Sequence, residues 1–167
     1  MANIAENIKL LQSTLPANVS LVAVSKFHPV DALMQAYNAG QRVFGESRAQ
    51  ELVQKASAMP SDVEWHFIGH LQTNKLKMLV PLVKMIHSID SEKLLIAVNE
   101  EATKVNKIVN VLLEVHVAQE ETKFGFSEAE CHEIAESGLL DSLKNVRVCG
   151  VMGMATNTDD EDEIRVE

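Results

Sequence analysis

Lys26 closes a short apolar run in the stretch SLVAVSKFHP, residues 20–29. Leu21, Val22, Ala23 and Val24 are mostly β-branched and read as a buried parallel strand, and Pro29 opens a helical pattern beyond it. In α/β folds the carboxyl ends of strands are where ligands sit. A lysine there is partly desolvated, which lowers its pKa and frees a neutral amine to attack a carbonyl. The plain alternative is a strand-end lysine that snorkels to solvent. Ser47 and Gln50 have the spacing of a helix-capping box. His66 and His70 stand four apart, as zinc-binding histidines do on a helix, but they fall in and just after a strand with no glutamate between, so no metal is expected. His70 reads equally as a site-rim residue or as a loop hydrogen-bonder. Glu114 and His116 alternate along a strand and share a face, as a structural carboxylate–histidine pair would. Met152 and Met154 read as packing residues. Cys131 and Cys149 show neither metal-ligand spacing nor a disulfide framework.

The elements that must position these residues follow a regular rhythm. A helix over 2–14 turns Ile8, Leu11 and Leu15 inward and stops at Pro16. Strands are expected at 20–25, 42–45, 65–68, 85–89, 109–117 and 146–152. The first four recur every twenty-odd residues, each followed by a helix. Val30, Leu33, Met34 and Tyr37 mark one helix, Ala49, Leu52, Val53 and Ala56 the next, and 71–80 a lysine-rich third. Asp90 or Ser91 caps a helix that carries Leu94, Leu95, Val98 and Ala102 on one side, and Ser127 with Glu130 caps another that ends at Gly138. Such βα repetition predicts a parallel sheet in an α/β fold. A doubly wound sheet and a (β/α) barrel compete. No turn carries G-x-G-x-x-G or a P-loop. Polar or glycine-rich turns after strands 1, 2, 3 and 6 favour a TIM-like barrel, incomplete, with about six of the eight βα units. Residues 158–163 look like an acidic helix start. The chain stops four residues later, so a fragment of a longer protein is expected.

At 167 residues, nearly half of them apolar, the chain suits a single domain over 1–167. A net charge of −9 disfavours nucleic acid and anionic membranes as partners. No apolar run is long enough to span a bilayer, and MANIAENIKLLQ lacks the form of a signal peptide, so a cytoplasmic protein is expected.

Five stretches together carry a specific resemblance. They are VAVSKFHP around Lys26, FGESRAQE at 44–51, WHFIGHLQTNK at 65–75, LLEVHVAQEETKFGF at 112–126 and GVMGMAT at 150–156. In this order and spacing the chain resembles the pyridoxal phosphate homeostasis protein family, relatives of the N-terminal barrel of alanine racemase. The resemblance implies a fold-type III barrel that binds pyridoxal 5′-phosphate (PLP) as a Schiff base on Lys26. It places Ser47, Ile68, His70 and Met152 around the cofactor ring, with serine at 47 where the family usually has asparagine. It implies a role in intracellular PLP homeostasis without catalytic turnover. The family's phosphate-holding groups follow the last two strands, which this chain lacks, so weak or absent PLP binding and self-association through open sheet edges are expected. Two alternatives remain: a PLP-dependent amino-acid racemase, and a cofactor-free Schiff-base aldolase using Lys26. For the racemase a second base is missing, because Tyr37 lies on the apolar side of a helix.

Overall fold

In the computed structural model, which describes residues 3–117 and 124–167, six parallel strands form one sheet whose spatial order is the chain order. They are β1 (Ala23–Val24), β2 (Val43–Glu46), β3 (Glu64–Phe67), β4 (Val83–Ile89), β5 (Val109–Val115) and β6 (Val146–Gly153). Helices α1 (Ile4–Thr14), α2 (Val30–Asn38), α3 (Ala49–Ala58), α4 (Leu76–Leu79), α5 (Glu92–Lys104), α6 (Glu128–Glu136), α7 (Leu139–Ser142) and α8 (Glu161–Val166) complete the chain. This is the expected incomplete barrel, with β1 and β6 as its two edges.

Alternation along the strands sorts side chains between two faces. Phe44, Trp65, Phe67, Ile86, Val109 and Val111 are buried against the helices, where they meet Leu33, Leu52, Leu79, Leu95 and Val98. Val43, His66, Asn110, Leu112 and Glu114 take the other, concave face and are only half-buried. The Ser91 hydroxyl caps α5 by accepting from Leu94 N at 3.3 Å, and the helix buries the four expected residues, Leu94, Leu95, Val98 and Ala102. The capping box of Ser127 and Glu130 is also present, on α6.

Several expectations are corrected. Leu11 is 50% exposed, so α1 packs through Ile4 and Ile8 instead. The stretch 71–80 forms only a 3-10 turn at Thr73–Lys75 followed by the four-residue α4, because no side chain caps its start and the next strand begins at Val83. β1 has two residues rather than six: only Ala23 and Val24 pair with β2, opposite Phe44 and Gly45. β5 stops at Val115, and positions 118–123 of the fourth resemblance stretch lie outside the described residues.

Candidate functional site

The parallel sheet brings the carboxyl ends of β1, β2 and β3 side by side, through the pairs Val24 with Gly45 and Glu46 with Phe67. Lys26 follows β1 in a tight turn. Ser25 N donates to Gly45 O (2.9 Å), His28 N donates back to Ser25 O (3.1 Å), and Phe27 has φ +66°. That left-handed conformation is unfavourable for a bulky aromatic residue. Lys26 itself is exposed, and among the described residues it has no hydrogen-bond or ion-pair partner. The expected partial desolvation is therefore corrected: the Lys26 side chain is exposed, and the contacts to this turn from Glu51 and Lys55 go to the residues on either side of it.

The buried lysine is a different one. Lys55 of α3 donates to Ser25 O (2.7 Å), to Glu46 Oε1 (2.7 Å) and to Glu51 Oε1 (2.6 Å). Glu46 is fully buried and also accepts from Ser25 Oγ at 2.6 Å, while its Oε2 has no partner among the described residues. Glu51 Oε1 accepts a further hydrogen bond from Phe27 N at 2.8 Å. The Lys55 hydrogen bond, helped by the Phe27 amide and opposed by burial, holds the Glu51 carboxyl below the usual range. The spacing Glu51–Lys55 suits a helix pair, but sequence reasoning missed the set because it needs Glu46 from β2 as the third member.

Ser47 lies in the turn between β2 and α3. It does not cap the helix: α3 starts two residues later with Arg48 at the N-cap and no side-chain cap bond. The reading of Ser47 with Gln50 as a capping box is thus overturned, because β2 continues to Glu46 and leaves 47–48 as the turn. Gly69 packs against this turn so tightly that a Cβ on it would lie 2.7 Å from Ser47 Cα and 2.8 Å from Ser47 Cβ. Ile68 N donates to Glu46 O (2.9 Å). On the concave face a Cβ at Gly45 would sit 3.1 Å from Val22 Cγ1 and 3.2 Å from Ile68 Cδ1, so glycine here lets those two side chains close over the strand.

His70 closes the far side of the same rim. Its Nδ1 lies 3.2 Å from Asp90 Oδ2, and its ring stacks on Phe124 with centroids 4.0 Å apart. It thus sits in the loop after β3, at ion-pair distance from Asp90. Burial, reinforced by the charge of Asp90 and opposed by His70, raises the Glu114 carboxyl above its ordinary value. Met152 pairs with Glu114 across β5 and β6 and so lies at the opposite edge of the sheet from Lys26. Lys26, Ser47 and Ile68 are thus brought together on adjoining strand ends. His70 flanks them and Met152 stands apart. The Tyr37 hydroxyl donates to Asp62 (2.7 Å) under an Arg42 guanidinium 3.9 Å from the ring centre. It sits at the end of α2, away from the strand ends that carry Lys26.

Comparison with known proteins places this geometry. The family model described as "Alanine racemase, N-terminal domain" matches residues 1–166. The chain is 42% identical over 146 residues to a pyridoxal phosphate homeostasis protein of Schizosaccharomyces pombe, covering 86% of this chain and 61% of that one. It is 36% identical to the protein of that name in Vibrio alginolyticus, with 96% and 74% covered. PipY of Synechococcus elongatus, solved with PLP bound, superposes with a TM-score of 0.86 at 36% identity over 97% of this chain and 75% of that one. Alanine racemase from E. faecalis shares the fold, with a TM-score of 0.78 at 18% identity, covering 98% and 45%. The chain spans about three fifths of the length of the Schizosaccharomyces pombe relative.

Proposed function

The chain belongs to the alanine racemase N-terminal-domain family, and from that premise we propose that it binds pyridoxal 5′-phosphate on Lys26 and serves intracellular homeostasis of that cofactor without catalytic turnover. The observation that carries this reading is the state of Lys26. It is an exposed primary amine at the carboxyl end of β1, without a partner among the described residues, on the strand end next to those of Ser47 and Ile68. The cofactor supplies an aldehyde that condenses with a primary amine with loss of water, and Lys26 supplies the amine. Ile68 and Val22 offer apolar contact to a ring, Ser47 offers a hydroxyl, and His70 offers an imidazole that lies 3.2 Å from Asp90. Met152, on β6, is the member of the proposed set that stands apart from the others.

The racemase alternative needs a second acid–base group on the opposite face of the substrate. Tyr37, the single tyrosine of the chain, is committed to Asp62 and lies away from the site, which supports binding rather than turnover. An open site also fits cofactor exchange, and a cytoplasmic setting fits both. The unpaired edge of β6, with Val151 64% exposed, supports self-association as part of the same proposal, read as concentration-dependent sedimentation.

The deciding experiment adds PLP to the chain and follows the visible absorbance of the lysine-bound cofactor. The band is expected with the native chain and absent from Lys26→Ala. A band that survives Lys26→Ala removes the assignment, and interconversion of L- and D-alanine replaces homeostasis with racemisation.

A further inference from the structure

We propose that Glu51 and Lys55 of α3 are positioning residues for Lys26, clamping the main chain on both sides of it; this rests on the reading of Lys26 as the cofactor anchor. Lys26 is the apex of a turn whose flanking peptide groups are both tied to the same helix. On one side Ser25 O accepts from Lys55 Nζ at 2.7 Å. On the other, Phe27 N donates to Glu51 Oε1 at 2.8 Å. The two clamps are joined, because Lys55 Nζ also donates to Glu51 Oε1 at 2.6 Å, and Glu46 Oε1 anchors Lys55 and Ser25 Oγ from beneath. An exposed turn with a bulky residue at φ +66° would otherwise relax toward negative φ, and that relaxation would swing the Lys26 stem off the concave face. The Glu51 carboxylate offsets the cost by binding the Phe27 amide in the unfavourable conformation. The Arg48 guanidinium, 5.0 Å from the centre of the Phe27 ring, adds a second restraint.

The same wiring separates the two lysines chemically. All three hydrogens of the Lys55 ammonium are donated at 2.6–2.7 Å, so its nitrogen offers no lone pair for attack. Lys26 has no such commitments among the described residues and is the nucleophile of the two. The arrangement holds the selected amine in place and removes its neighbour from competition.

The test uses PLP itself as the probe, on the full chain and on Lys26→Ala, Glu51→Ala and Glu51→Gln. Glutamine keeps a carbonyl oxygen for the Phe27 amide, whereas alanine removes it. Loss of a charge-assisted hydrogen bond at the anchor predicts about ten-fold weaker binding or more in Glu51→Ala, with Glu51→Gln within about three-fold of the native chain. Far-UV circular dichroism should be unchanged in both, since Glu51 is partly exposed and α3 keeps its core face. Binding by Glu51→Ala equal to the native chain overturns the inference while leaving the Lys26 assignment intact. Absence of a Lys26-dependent band in the native chain removes that assignment first. Should Glu51→Ala fail to fold, amide exchange of the native chain decides: protection of the Phe27 N–H is expected, and exchange at the rate of an open turn overturns the clamp.

Discussion

His66 Nδ1 lies 2.9 Å from His87 Nε2, so two imidazoles on adjoining strands share one hydrogen on the concave face of the sheet. One ring donates and the other accepts, so the accepting nitrogen must be unprotonated. Burial first, and then the charges of His87 and Lys84, push His66 down to about 4, and burial lowers His87 as well. A proton on the accepting nitrogen as well would set two donors against each other.

This pair predicts acid sensitivity. The unfolded chain takes up a proton on each histidine near pH 6.5, and the folded chain resists uptake on His66 until about pH 4. Between those values the unfolded state binds more protons, so stability is greatest above the window and falls as pH drops through it. Thermal melts from pH 7 to pH 4 should show a declining Tm, and His66→Phe should flatten the slope. An unchanged slope in that variant removes the pair as its source.

Lys55→Met should destabilise the fold by about 3–5 kcal/mol, because it leaves the fully buried Glu46 carboxylate without its cation. Adding Glu46→Leu to Lys55→Met should recover most of that loss, since an apolar pair has no charge to desolvate. Urea midpoints report both. A double variant as unstable as the single one would place the cost in packing instead.

Gly69→Ala should cost about 1–3 kcal/mol, because its methyl group would press on the Ser47 main chain rather than on a mobile side chain. It should also weaken PLP binding by displacing Ser47, whereas Gly40→Ala, which meets no atom within 4 Å, carries only the strain of its φ of +106°.

Ser47→Ala tests the correction at the start of α3. A true N-cap serine contributes about 1 kcal/mol, whereas Ser47 lies outside the cap and its removal should shift stability by less than about 0.5 kcal/mol. A loss near the larger figure would restore the capping box.

Local patterns were readable before any coordinates, and pairings across elements were not. The buried face of α5 and the capping box of α6 depend on residues within one or two turns of each other, so spacing alone exposed them. Ser47 and Gln50 have comparable spacing, yet the helix start slipped past them because Glu46 is drawn into β2 by its buried bonds to Ser25 and Lys55. Lys26 was readable as a strand end. Its exposure was not, because it depends on what lies across an edge. The contact between His66 and His87 needed the register of β3 against β4, which shifts after Trp65. The family resemblance supplied a role for Lys26, but nothing in it pointed to Glu51 or Lys55.

The strand order has a consequence for how the molecule is made. Each strand pairs with the one before it in the chain, at separations from 18 residues, Trp65 to Val83, up to 38, Leu112 to Gly150. A nascent chain leaving the ribosome therefore always carries the docking edge for its next unit, and β1 to β4 can zip together before β6 has been translated. Assembly proceeds in one direction, and the Lys26 turn with its clamp from α3 is among the first parts to take shape.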